Sequence, residues 1–305
     1  MHSLIYVHAG NPFYLALSVK QASTVCHGGD VILLGDRSNR HILGVKHFEI
    51  ANYFERAKRF DRIYVNHSPN DRAYELFCFQ RWMVIWEFMQ QHPEYDDAFV
   101  YCDSDTLLYA DVFVDLKSMN GGLLAQQGKG GPAFTFFNKH VLGQFCDTIE
   151  WLYQSDDGLK YIEAYMQKVQ ERHLTHGFSD MSAFECFINK CCADQFIDTM
   201  IPNHDGETDI QYSCYDQNIN LSHSYEMSKN GFKKFIFKNG RPFAFHHNLG
   251  EFVFFKGIHF QGKAKYEMLK YTHSPMPFMS RYWRQYYLIY TLKKIKRQLL
   301  KLWKR

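Results

Sequence analysis

The first hundred residues alternate between short apolar runs that stop on a polar residue and longer segments of helical character. No other feature restricts the fold as much. Residues 3–7 are apolar and β-rich and stop at His8-Ala9-Gly10-Asn11-Pro12, after which residues 13–25 read as a helix. Residues 30–36 predict a second buried strand ending on Asp36, and residues 61–66 a third ending on Asn66. Residues 72–91 are apolar on nearly every side, which predicts a buried helix. Residues 98–102 predict a fourth strand, and Asp103 follows it directly. This order predicts an α/β domain with a Rossmann-like, largely parallel central sheet flanked by helices. Such sheets take ligands at the carboxyl ends of their strands. Here those ends would carry His8, Asn11, Asp36, Asn66, Asp103 and Asp105, an acidic crevice suited to a metal ion.

The second half is less regular. Residues 133–138 predict a strand, residues 140–153 and 179–189 predict helices, and the polar stretch 202–222 predicts a loop. Residues 241–262 are aromatic and β-like. The eight cysteines sit mostly in apolar stretches and form no CxxC pair, which predicts reduced, mostly buried thiols rather than a disulfide scaffold or a zinc site. The N-terminus lacks the basic and apolar regions of a secretory signal, and no run of 18 apolar residues occurs. The expectation is a cytoplasmic protein with no membrane-spanning helix.

The sharpest chemical signal is Phe99-Val100-Tyr101-Cys102-Asp103-Ser104-Asp105-Thr106-Leu107-Leu108. A buried strand runs straight into two carboxylates two positions apart. In extended backbone both point the same way and can reach one divalent cation that prefers hard oxygen ligands. An ion so placed would neutralise a departing diphosphate as a Lewis acid. Asp-x-Asp also caps turns, so the pattern acquires weight from its strand context. A second constellation is His259-Phe260-Gln261-Gly262-Lys263-Ala264-Lys265. An imidazole can complete a metal's coordination, a glycine admits phosphate close to the backbone, and a lysine supplies a point charge. Alone it also describes a surface loop with two solvated lysines.

Together the two motifs resemble those of GT-A glycosyltransferases, most closely the family 8-like enzymes with Asp-x-Asp and a C-terminal His-x-x-Gly-x-x-Lys. The resemblance implies manganese (or magnesium) held by Asp103, Asp105 and His259, with Gly262 and Lys265 on the diphosphate of a nucleotide-sugar donor, a UDP-sugar by the same resemblance. It implies donor contacts from His8, Ala9, Asn11, Asp36 and Ser104, and leans towards retention of anomeric configuration. Where that family often continues Pro-Trp after the lysine, Tyr266-Glu267 stands here. Arg81, in the helix before the Asp-x-Asp strand, occupies the place of an arginine that reaches the donor sugar and the first carboxylate. Pairing with Glu75 or Glu87 is the structural alternative, since a buried guanidinium needs a partner. Asp180 would face the anomeric carbon or the acceptor as a catalytic residue, or merely serve the first turn of a helix. His246 and His247 are expected to be structural or acceptor-side rather than ligands.

The net charge of +3 conceals a segregation. Residues 281–305 hold nine basic residues and no acidic one; removing those nine from 35 leaves 26 against 32 acidic residues, a net of −6 for the rest. Leu288, Leu292, Ile295, Leu299 and Leu302 form one helical stripe, with Lys293, Lys294, Lys296, Arg297, Lys301 and Lys304 on the other faces. With Trp283, Trp303 and the tyrosines between, this predicts an interfacial helix on an anionic membrane, or else a helix packed on the body with a solvated basic face. The expected organisation is therefore a glycosyltransferase domain over residues 1–274 and a membrane-associating tail over 275–305, peripheral on the inner face of the membrane. The expected acceptor is a glycan or lipid-linked glycan, and no nucleic-acid partner is expected from so modest a total charge. A nucleotidyltransferase or phosphohydrolase is the rival enzyme, and a membrane-tethered carbohydrate-binding protein the rival without catalysis.

Overall fold

A computed structural model describes residues 1–118, 124–126, 128, 131–192, 196–204 and 210–272. In chain order its elements are β1 (His2–His8), α1 (Phe13–Val25), β2 (Gly29–Gly35), β3 (Lys46–Glu49), α2 (Glu55–Asp61), α3 (Arg72–Gln91), β4 (Ala98–Cys102) and β5 (Thr106–Leu108). There follow α4 (Val112–Ser118), β6 (Leu124–Gln126), β7 (Phe134–Asn138), α5 (Lys139–Gln154), α6 (Asp156–Glu171) and α7 (Asp180–Phe187). The chain continues through β8 (Phe196–Asp198), β9 (Asn203–His204), β10 (Tyr212–Tyr215), β11 (Phe235–Lys238), β12 (Arg241–His246) and β13 (Glu251–His259) to a 3-10 segment, Gly262–Tyr271. Among the described residues, no helix is long and apolar enough to cross a membrane. The membrane residues expected in the tail, Trp283 to Trp303, lie outside the described residues.

The central sheet runs β3-β2-β1-β4-β7-β6-β8, with β3, β2, β1 and β4 mutually parallel and β7 antiparallel to both its neighbours. It is the mostly parallel sheet flanked by helices that the alternation predicts. Successive strand residues point to opposite faces, and the core divides accordingly. Ile5, Val7, Ile32, Leu34, Phe99 and Tyr101 face a cluster built from α2, α3, α5 and α7. Leu4, Tyr6, Val31, Leu33, Val100 and Cys102 face α1 and α4. The buried helix is α3, started by Asp71, whose carboxylate accepts from the backbone N–H of Ala73 and Tyr74. Its Trp82 is fully enclosed by Tyr101, Phe137, Phe145 and Phe184. Burying an indole of that size stabilises by roughly 4–6 kcal/mol before entropy is counted.

A second sheet, β11-β12-β13-β10-β9, is tied to the first by β5, which pairs antiparallel with β13. Its core collects Leu107, Phe254, Phe255, Ile258 and Phe260 against Phe13 and Leu17 of α1.

Three expectations need correction. Residues 61–66 are not a strand: the N–H groups of Ile63 and Tyr64 turn back to the Phe60 carbonyl and close α2. Tyr64 instead fills the core against Phe60, Phe79 and Tyr153. The third parallel strand is the short edge strand β3, whose sequence Lys-His-Phe-Glu is too polar to signal burial. Stretch 202–222 is not all loop, because it holds β9 and β10, and the amphipathic helix α6 went unforeseen. Cys26, Cys78, Cys102, Cys146, Cys186, Cys191 and Cys214 are free, and all of these but Cys78 and Cys191 are buried, as expected.

Candidate active site

In the strand order, β1 lies between β2 and β4, so the connections run to opposite sides at the carboxyl ends of β1 and β4. That is where open α/β sheets form a ligand crevice. Asp103 leaves β4 there, its N–H donating to the Ala133 carbonyl at 2.7 Å. A tight turn, with the Thr106 N–H donating to the Asp103 carbonyl, brings the chain into β5. Register then settles what lies opposite. Thr106 pairs with His259 at the end of β13, and the Phe260 N–H donates to the Asp105 carbonyl at 2.9 Å. Two motifs more than 150 residues apart in the chain meet through this ladder.

Asp103, Asp105 and His259 each offer one ligand atom, and the three atoms lie within 4.8 Å of one another. The His259 Nδ1–H donates to the Gln217 carbonyl, so Nε2 is the nitrogen turned towards Asp105, 3.3 Å from Oδ1. Fixing one ring nitrogen on a backbone carbonyl is how metal-ligating histidines are oriented. Two hard carboxylates and one imidazole suit manganese or magnesium. The residues therefore fit the ion that the motifs imply.

The charges around the triad are closely matched. Lys265 Nζ lies 2.9 Å from Asp105 Oδ2 and 4.9 Å from the centre of the Tyr14 ring. Arg81 is a fork between two carboxylates: Nη1 donates to Asp103 Oδ1 at 2.7 Å and Nη2 to Asp180 Oδ2 at 2.6 Å. Nη1 also donates to the Tyr101 hydroxyl, which in turn donates to Asp103. The alternative partners of Arg81 are occupied elsewhere, Glu75 by Ser68 and Asn70 and Glu87 by the backbone of α2. Burial pushes the Asp103 carboxyl above its ordinary value despite Arg81. Burial would raise Asp105 too, but the facing His259 and Lys265 outweigh it and hold that carboxyl well below the usual range. Burial disfavours the His259 imidazolium, yet Asp105 raises it to about 9.

Asp180 opens α7 and is 4% exposed. Besides Arg81 it accepts from Trp82 Nε1 at 3.2 Å, so it is more than a helix cap. A cavity of about 610 Å³ adjoins the triad, and Arg81, Asp103, Asp105, Asp180, His259, Gly262 and Lys265 all line it. Gly262 has φ +62°, and a Cβ there would meet no atom within 4 Å, which leaves its backbone open to a ligand.

The expected donor contacts at β1 form a separate group that does not line this cavity. His8 Nδ1 and Ser104 Oγ are hydrogen-bonded at 2.9 Å across the β1–β4 junction, and burial pushes His8 down to about 4, leaving it neutral. Asp36 holds the turn after β1, accepting from the N–H of Gly10 at 2.6 Å and of Ser38 at 2.8 Å. Ala9 and Asn11 are exposed on that turn, with Asn11 3.4 Å from His41. The fully buried Asn39 secures the same turn by donating to the carbonyls of His8 and Gly10. Asn66 is not at a strand end but ties a loop, accepting from the Ser68 N–H and the Tyr64 hydroxyl. His246 ends β12 with Nδ1 accepting from the Leu249 N–H, a structural use.

Residues that sequence reasoning missed include Tyr101, Trp82, Gln217 and Tyr14. Tyr101 was accessible in principle, since it stands two positions before Asp103 on one strand face. The Gln217 carbonyl is backbone and leaves no trace in a sequence pattern.

No protein-family model matches the chain, and no curated protein does. Among solved structures it is similar to mouse xyloside xylosyltransferase 1 in its apo form, at 9% identity over 64% of this chain and 83% of that one, with a TM-score of 0.41. It is similar to an active-site mutant of LgtC at 11% identity over 61% of this chain and 70% of that one, TM-score 0.35. The WbbM bifunctional glycosyltransferase, apo, matches at 11% identity over 64% of this chain and 38% of that one, TM-score 0.38. At such identities no residue role is carried from them to this chain.

Proposed function

We propose that residues 1–274 form a divalent-metal-dependent glycosyltransferase that moves a sugar from a nucleotide donor, a UDP-sugar, to a hydroxyl of a glycan or glycolipid. The observation that carries it is the convergence of Asp103, Asp105 and His259 on one point beside a cavity whose wall also holds the Arg81–Asp180 pair. Manganese or magnesium held by the three ligands supplies Lewis-acid stabilisation of a departing nucleoside diphosphate when bound. The chain's own residues then divide the remaining work. Lys265 and the open backbone at Gly262 bind diphosphate oxygens. The turn of His8, Ala9 and Asn11, held by Asp36 and joined to Ser104, receives the nucleoside. Arg81 orients the donor sugar and keeps Asp103 and Asp180 in place. Asp180 is the carboxylate nearest the transferred sugar and is either its clamp or the group that attacks or deprotonates; retention is the expected outcome.

Calorimetry with UDP and manganese tests this. Binding of UDP that requires manganese, and that is lost in Asp105→Ala, is expected. Metal-independent binding, or unchanged binding in that variant, would refute it. Release of pyrophosphate instead of UDP would assign the site to nucleotidyl transfer.

Residues 275–305 are proposed as an anchor that brings the enzyme to a lipid-linked acceptor at an anionic, inner membrane face. Their composition is the support: nine basic residues without an acid, set around a leucine stripe. Each basic residue near such a surface contributes about 1 kcal/mol.

A further inference from the structure

Beyond the triad the cavity continues along the first two turns of α3, lined there by side chains that neither metal nor donor employs. On the transferase proposed above, we propose that Glu75 is a specificity residue for the acceptor, its free carboxylate oxygen taking hydroxyl groups of an incoming sugar beside the exposed ring of Tyr74.

Glu75 is only 4% exposed and lines the cavity. A glutamate buried to that degree is ordinarily paired with a cation. Among the described residues Glu75 has no ion-pair partner: Oε1 accepts from Ser68 Oγ at 3.1 Å and Asn70 Nδ2 at 2.5 Å, and Oε2 accepts from nothing. An ionised carboxylate offers about four acceptor sites, so its hydrogen-bonding capacity is half used. A neutral polyol supplies the donors it lacks. The nucleotide diphosphate, being anionic, does not belong beside it.

The surroundings hold Glu75 ready. Asn66 Nδ2 donates to the Asn70 carbonyl, and the Asn70 N–H donates to Ser68 Oγ, so the loop that grips Oε1 is itself tied down. Gly177 lies so close to that loop that a Cβ would stand 2.0 Å from the His67 carbonyl oxygen, and the Phe178 N–H donates to the same oxygen. The segment leading into α7 and Asp180 is thereby locked to the segment presenting Glu75.

Spacing gives the role. Tyr74, Glu75, Cys78 and Arg81 recur at helical intervals and share the cavity face of α3. Six residues at 1.5 Å of rise put Glu75 about 9 Å along the axis from Arg81. On the proposed reading, in which Arg81 serves the donor sugar, that separation leaves the length of about one more sugar ring along the helix. Tyr74 is 62% exposed at the same wall, an aromatic face without an intramolecular duty of burial.

The test measures UDP release from a panel of UDP-hexoses and UDP-pentoses with manganese, with and without a panel of octyl glycosides. Expected for Glu75→Gln, which keeps the size and the bonds to Ser68 and Asn70, is a rise of about 10- to 100-fold in glycoside KM, the range for a lost hydrogen bond to a charged group. Its affinity for UDP–manganese should stay at the wild-type value. Tyr74→Ala, an exposed change that does not threaten folding, should raise glycoside KM as well. Wild-type glycoside KM in Glu75→Gln would overturn the assignment, as would weakening of UDP–manganese binding and glycoside use in equal proportion, the signature of a merely structural role. A wild-type protein that binds UDP–manganese and hydrolyses UDP-sugars, but is stimulated by no glycoside, would remove the acceptor subsite alone. One that does neither would remove the transferase itself.

Discussion

Binding of manganese should be a proton-exchange reaction. The imidazole of His259, facing Asp105 with Nε2, is held at about 9, above its ordinary 6.5: burial opposes the charge, but the Asp105 carboxylate prevails. At pH 7 the ring is then protonated in all but roughly one molecule in a hundred, and a metal can bind only the neutral form. The apparent affinity at pH 7 should therefore lie about 100-fold below its alkaline limit and rise tenfold per pH unit between about 7 and 9. Calorimetry in buffers of different ionisation heat reads the released proton directly. The slope of apparent enthalpy against buffer enthalpy should be near one proton at pH 7.5 and fall towards zero above pH 9. His259→Gln should bind metal more weakly and without that proton. An affinity flat from pH 7 to 9, with no buffer-dependent heat, would refute the placement of His259 among the ligands. The same shift has a consequence for the metal-free protein. A raised imidazolium stabilises fully below its unfolded value of 6.5, and that contribution, roughly 3 kcal/mol, is lost as pH rises through about 9. Asp105 acts in the opposite sense, since its lowered carboxyl stabilises above the ordinary 3.8 and ceases to do so in stronger acid.

Two further outcomes are expected. Arg81→Met leaves the half-buried Asp103 and the buried Asp180 without their shared cation and should cost about 3–5 kcal/mol in urea unfolding, part of which Asp180→Asn should restore in the double variant. A loss within the error of the wild type would mean the fork contributes no stability. Truncation at residue 274 should abolish binding to phosphatidylserine vesicles while UDP–manganese affinity is retained; equal vesicle binding by the truncated protein would refute the anchor.

Local features of the chain are legible without coordinates because their causes are local. The boundaries of α1 and α3 coincide with the predicted segments 13–25 and 72–91, since helical and apolar character is read over one or two turns of chain. The same holds for β4 and the carboxylates that follow it. Residues 61–66 misled for the same reason, because Ile63, Tyr64 and Val65 have strand-like side chains while the backbone donors were already committed to closing α2. Whether a short apolar run joins a ladder depends on what lies beside it.

From its residues alone, this chain specified an α/β sheet with carboxylates at the strand ends, and it named both halves of the cluster proposed here to hold a metal. Only tertiary structure decided that the halves meet. The pairing of β5 with β13 carries His259 to Asp105, and the face of α3 selects Asp103 and Asp180 for Arg81 over Glu75 and Glu87. Only tertiary structure, too, left Glu75 buried beside the cavity without a cation partner among the described residues. Side-chain chemistry is written in each residue, but charge balance is a property of neighbours in space, and those are chosen by sheet register and helix packing across the whole chain.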